Sequence, residues 1–201
     1  MEAKKGLFQF YAAPAQTVQS NRVMTIKEAY QYITLNTEAM THTHALRALI
    51  ADVKAGKADA KAVGKYKTTH FDFACFSGTF SYRKDDCLLQ HSGYLCLDFD
   101  HVGSRDALQA LRQQLIADSH FTTWLLFVSP SGDGLKWVIG IDLSKCDHRT
   151  WFRALQNYIR VTYQLDVDEK CVNVSRCCFL PHDSNCYVHP MILTEPDICP
   201  F

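Results

Sequence analysis

The sequence predicts an α+β fold built on a ferredoxin/RRM-like β-α-β-β-α-β core. Three observations carry this expectation. Two apolar runs of strand length, YLCLDF (94–99) and TTWLLFV (122–128), flank a segment that places Leu108, Leu111, Leu115 and Ile116 on one helical face. LKWVIGIDL (135–143) follows the second run after only SPSGDG (129–134), a turn by composition. Trp151, Leu155, Tyr158 and Ile159 then keep helical spacing ahead of a short strand near CCFL (177–180).

Taken in order, GLFQFYA (6–12) reads as a short strand. Thr25-Ile-Lys-Glu28 is a capping box that opens a helix to about Leu35, and a second helix is expected from about Thr43 to Ala55. Residues 54–67 carry five lysines against Asp59 and read as a solvated linker, with a phosphate-facing basic edge as the alternative. HFDFACFSGTF (70–80) is strand-like. The helix after YLCLDF runs from Ser104 to Ser119, and Ser144-Lys-Cys-Asp147 opens the helix that reaches about Tyr163. These elements suggest an N-terminal α/β extension with a basic linker (1–65) and a core (66–201), or the two merged in one compact domain. The right-handed crossover rule makes strands 94–99 and 122–128 parallel. The third strand is expected between them, and the fourth antiparallel on the far side of the first. The end of the first strand, the 129–134 turn and the start of the fourth then share one sheet edge.

The 201 residues are 47% hydrophobic and 21% charged, enough apolar surface for a real core. Basic and acidic residues number 21 each, so the net charge is zero. That argues against a wholly basic nucleic-acid-binding surface and leaves room for a local basic groove. No run approaches the roughly 18 apolar residues of a membrane-spanning helix. MEAKKGLFQFYAAPAQ lacks the apolar stretch of a secretory signal, so a cytoplasmic location is expected. The nine cysteines are odd in number and lie mostly in apolar runs, which reads as reduced, buried thiols.

The chemistry-bearing residues fall at the shared edge. Asp98 and Asp100 lie two apart on a strand end and so face the same side. Such a pair suits a hard divalent ion, or else is a solvated strand end. In Ser129-Pro-Ser-Gly-Asp-Gly-Leu-Lys136, Ser129, Ser131, Gly132 and Gly134 allow backbone amides to approach an anion, and Lys136 adds a point charge. An ordinary hairpin turn is the plainer alternative. Asp168 offers a third carboxylate and Arg176 a guanidinium for phosphate, unless the two form a surface pair. Together these describe an acidic metal cluster beside a phosphate cradle, the requirement of metal-assisted phosphoryl or nucleotidyl transfer. Phe99 is either a base-stacking ring or, more simply, core. His91 and His101 are either proton carriers or polar loop residues.

FSGTFSYR (76–83), HSGYLCLDFDHV (91–102), SPSGDGLKWVI (129–139) and DEKCVNVSRCCFLPHD (168–183) resemble the VirE N-terminal / BT4734-like domain of Bacteroidetes mobile-element proteins. The resemblance spans roughly residues 70–190. It implies a domain that commonly precedes a helicase-like ATPase, with this chain as its excised N-terminal part. The pattern is more distantly similar to the archaeo-eukaryotic primase–polymerase superfamily. That similarity implies Asp98, Asp100 and Asp168 as catalytic ligands of Mg²⁺ or Mn²⁺. It implies Ser129, Ser131, Gly132, Gly134, Lys136 and Arg176 as contacts to a nucleoside triphosphate. Arg83, Lys65 and Lys67 would contact single-stranded or primed DNA. Lys136 stands where that superfamily has His, which points toward a binding module without turnover as the alternative. A zinc-stabilised interaction domain is a weaker third reading, resting on the run Cys177, Cys178, His182, Cys186 and His189.

Overall fold

The computed structural model describes residues 6–194. The chain opens with β1 (Phe8–Tyr11) and β2 (Val23–Met24), then α1 (Ile26–Leu35), α2 (Thr37–Lys54) and α3 (Ala60–His70). The capping box forms as expected: Glu28 N–H donates to Thr25 Oγ1, and the Glu28 carboxylate accepts from Thr25 N–H. α2 starts earlier than expected, because Asn36 Oδ1 accepts from Ala39 N–H and caps it. The lysine-rich segment is not a loop beyond residue 59. Asp59 caps α3 by accepting from Lys61 N–H, and Ala and Lys favour the helix. No residue of α3 is fully buried, so it carries no apolar stripe that periodicity would detect.

β3 (Phe73–Cys75), β4 (Gly78–Phe80) and β5 (Leu88–His91) lead to the central segment. There β6 (Tyr94–Phe99), α4 (Arg105–Ile116), β7 (Thr123–Val128), β8 (Leu135–Gly140) and α5 (His148–Tyr163) follow the expected order. β8 lies between β6 and β7 and is antiparallel to both, so those two run parallel to each other. The α+β class is borne out.

The fourth strand differs from expectation. β9 (Cys178–Phe179) pairs with Phe73 and Ala74 of β3, in a second sheet of order β2-β1-β3-β9. The position on the outer side of β7 is taken by β10 (Tyr187–Val188), ahead of the short α6 (Pro190–Thr194). The edge of β6 that β9 was expected to fill is instead met by the chain before a 3-10 turn at Glu169–Val172. Asp168 N–H donates to Asp98 C=O at 3.0 Å there. One backbone group is satisfied without a full strand.

Strand alternation divides the core into two layers. Leu95, Leu97, Leu126, Trp137 and Ile139 face α4 and α5, meeting Leu108, Leu111 and Leu115 of one helix and Phe152, Leu155 and Ile159 of the other. Phe99 belongs to this core and offers no exposed ring for a base. On the opposite face Tyr94, Leu125, Phe127 and Val138 pack on Phe8, Phe10 and Phe76 and on Ala29 and Ile33 of α1. Burying each such side chain contributes about 1.5–3 kcal/mol. β1 and α1 are therefore structural walls of the same core.

β5 and α5 meet through two imidazoles. Gly93 N–H donates to His91 Nδ1, which leaves the proton on His91 Nε2, 3.0 Å from His148 Nδ1. His148 Nε2 in turn faces Cys171 C=O at 3.4 Å. Burial and the adjacent His148 push His91 down to about 4, and burial pushes His148 down as well. An unfolded imidazole titrates near 6.5, so the unfolded chain binds more protons between those values. Stability is therefore expected to fall as pH drops from about 6.5 toward 4, by up to about 3 kcal/mol. Urea titrations at pH 7 and 5 measure it, and His91→Gln should flatten the difference. An unchanged difference in that variant contradicts the assignment.

Among the described residues no helix is long and apolar enough to cross a membrane. The eight described cysteines are free thiols.

Candidate functional site

The three expected places do converge. The carboxylates of Asp98, Asp100 and Asp168 each offer an oxygen, and these lie within 4.8 Å of one another. Asp98 ends β6 on the face that looks toward the β1–β3 sheet, and it is only 8% exposed. Asp100 is exposed just past the strand, and Asp168 is half-buried before the 3-10 turn. Asp168 Oδ1 also accepts from Lys170 N–H, which fixes the turn.

Two cations answer this charge. Asp98 and Lys136 sit opposite each other in the β6–β8 register, so both side chains leave the same face. The buried Lys136 ammonium donates to Asp98 Oδ2. Arg176 Nη2 donates to Asp168 Oδ2 at 2.6 Å. Burial alone would lower Lys136, but the Asp98 charge outweighs it and the ammonium is held protonated far above its ordinary range. Arg176 is raised in the same way, burial being outweighed by Asp168. Asp98 itself is pushed up by burial, and by Asp100 and Asp168, against the pull of Lys136. Its second oxygen, Oδ1, is buried without a hydrogen-bond partner. The cluster is thus short of positive charge at one defined atom.

A cleft of about 320 Å³ opens beside this cluster, lined by Asp98 and Asp100 and by the Arg176 that holds Asp168. Asp98, Asp100, Ser129, Ser131, Lys136 and Arg176 line it, together with Lys67 and Arg83. Lys67 also lies over the Phe179 ring at 5.9 Å, a cation–π contact. Arg83 spends two donors on the Ala15 and Thr17 carbonyls and covers Phe73, so it braces the wall as much as it faces the cleft. Lys65 is exposed on α3 and is not part of the wall.

Two amides of the 129–134 turn are used within it. Ser129 N–H donates to Gly134 C=O, and Gly132 N–H donates to Ser129 C=O. Ser129 and Ser131 line the cleft, their Oγ atoms 3.1 Å apart, and Ser131 Oγ donates on to Asp133 Oδ1. Gly134 is required by close approach: a Cβ there would lie 2.3 Å from Phe99 C=O. Gly132 sits at φ +87 and faces away, against the Arg47 side chain.

Arg47 is the residue that sequence reasoning missed. It reaches from α2 to the Ser129 and Pro130 carbonyls, over 80 positions away in sequence. Position 47 in an amphipathic helix carries no signal of that contact. His101 is exposed and joined to Asp133 at 2.8 Å, and His91 is committed to His148. The Cys177–His189 run does not converge. Cys178 and Cys186 are buried in the core, and among the described residues only the three aspartates form a group spaced to hold a metal ion.

An α+β domain whose three-aspartate cluster sits beside a cleft lined by basic and hydroxyl side chains is thereby defined. A family model described as BT4734-like, N-terminal domain matches residues 66–188, more than half of the chain, and the chain belongs to that family. No curated protein and no solved structure matches it.

Proposed function

We propose that the Asp98 cleft is a divalent-metal-dependent site for a nucleoside triphosphate and DNA, of the nucleotidyl-transfer type. The observation that carries this reading is the buried, unpartnered Asp98 Oδ1 within reach of Asp100 and Asp168. An all-carboxylate donor set suits Mg²⁺ or Mn²⁺, which prefer hard oxygens. Asp98 Oδ1, Asp100 and Asp168 would hold the ion. Such an ion supplies charge that neutralises a triphosphate and favours ionisation of an attacking hydroxyl. The protein's own part is to position: Lys136 and Arg176 orient the acids and present positive charge, Ser129 and Ser131 would turn their hydroxyls from the chain that ends on Asp133 toward phosphate oxygens, and Lys67 faces a nucleic-acid backbone. The family resemblance adds the expectations of a helicase-like ATPase partner and a role in mobile-element DNA replication, and the N-terminal sequence adds that of a cytoplasmic setting.

A specific observation favours a second reading, a nucleotide- or DNA-binding module without turnover. Lys136 and Arg176 already neutralise two of the three acids, which lessens the need for metal. Incorporation of labelled nucleotide on a primed template, with Mn²⁺ and with chelator, separates the two. Metal-dependent incorporation supports the enzyme. Nucleotide or DNA binding without incorporation, with Mn²⁺ or with chelator, supports the module, and neither incorporation nor binding under either condition contradicts both.

A further inference from the structure

A second cleft, of about 750 Å³, lies across the 129–134 turn, and Ser131 lines both. Two guanidiniums face it without a carboxylate partner among the described residues. Arg112 of α4 is more than nine-tenths buried; its Nη2 donates to Asn185 C=O, while its Nη1 has no partner. Arg47 is half-buried and bonds only to carbonyls. Burial pulls Arg47 down against the charge of Asp183, the behaviour of a guanidinium short of anions. Asp183 lines the same wall, but both its oxygens accept backbone amides, from Val128 and Asn185. Asp133 is likewise occupied, by His101 and Ser131. Lys54, Arg105 and the acidic Asp106 of the first turn of α4 stand exposed at the rim. A buried charge without a partner is costly to keep, so its retention here points to an anionic ligand.

We propose that this second cleft binds phosphates of a single-stranded nucleic acid whose end lies in the Asp98 cleft, a path that rests on the reading of that first cleft given above. The shared Ser131 wall makes the two clefts neighbours along one strand. The larger volume and the spread of cations, from buried Arg112 to rim Lys54, suit several linked phosphates rather than one free anion.

The test is fluorescence anisotropy of a labelled single-stranded oligonucleotide of about 12 nucleotides, with chelator present. Arg47→Gln should weaken binding about ten-fold and make the slope of log affinity against log salt shallower by about one. Arg112→Gln should do the same where its melting temperature stays at wild type; Arg47→Gln carries the test if it does not. Arg153→Gln, an exposed position on α5, should change neither quantity. Mn²⁺-dependent nucleotide binding, measured on the Arg153→Gln protein, should match wild type. Wild-type affinity and salt slope in Arg47→Gln overturn the second cleft alone. Inorganic phosphate binding as tightly as the oligonucleotide overturns the strand path in favour of a free-anion pocket. Absence of Mn²⁺-dependent nucleotide binding in the wild type strikes the first-cleft reading, and the strand path with it.

Discussion

Asp98→Asn combined with Asp100→Asn is expected to abolish Mn²⁺-dependent nucleotide binding, weakening it by at least about 100-fold. Two of the three carboxylates are lost, and the remaining one, Asp168, is bonded to Arg176 and to Lys170 N–H. Asn at position 98 still presents an amide oxygen to the Lys136 ammonium, so the buried lysine keeps an acceptor but not a counter-charge, and the variant is expected to fold with a lowered melting temperature. Isothermal titration with Mn²⁺ and a nucleoside triphosphate checks the first expectation, and the melting temperature checks the second. Wild-type binding in the folded double variant contradicts a metal role for these residues.

Lys136→Met is expected to have the largest effect on stability. It leaves Asp98 buried beside Asp100 and Asp168 with no cation on it, at a cost of about 3–5 kcal/mol at pH 7. The folded Asp98 pKa, already raised by burial, rises further once Lys136 no longer pulls it down. The unfolded carboxyl loses its proton near 3.9, so above that pH the folded state binds more protons than the unfolded one. Stability of the variant therefore falls as pH rises from about 4 through the raised folded value, and the loss is smaller at pH 5 than at pH 8. Adding Asp98→Leu removes the stranded charge and should restore stability to within about 1 kcal/mol of wild type, because an apolar pair replaces an ion pair. Urea unfolding of the three proteins at both pH values measures this. A pH-independent loss, or no rescue by Asp98→Leu, contradicts the pairing. The rescued protein should still fail to bind Mn²⁺, which separates the fold from the site.

The contrast between what the sequence revealed and what it hid has physical causes. α4 was legible because Leu108, Leu111 and Leu115 repeat at helical spacing and bury one face. The β7–β8 hairpin was legible because a turn of small residues separates two long apolar strands. The aspartates were legible as candidates because Asp98 lies near the end of a buried strand and Asp168 was expected beside it, although the fourth strand expected to bring it there pairs with β3 and Asp168 meets the β6 edge through its own N–H. β9 was misplaced because two residues carry no pattern, and its choice of Phe73 and Ala74 is a non-local pairing. α3 was hidden because it buries no stripe, although its Asp59 cap was in view. The Lys136–Asp98 contact needed the β6–β8 register, which residue types alone do not supply. The zero net charge first weighed against nucleic acid; the fold gathers acids at one cleft floor and leaves guanidiniums in the adjoining one.

The central claim is that Asp98, Asp100 and Asp168 form one metal site facing a phosphate cleft. A crystal soaked with Mn²⁺ and a non-hydrolysable nucleoside triphosphate tests it most directly. The account predicts anomalous density among the three carboxylates, touching Asp98 Oδ1, with phosphate oxygens against Ser131 and Lys136. An ordered cleft with no anomalous density between the aspartates, or manganese bound elsewhere on the chain, would contradict it.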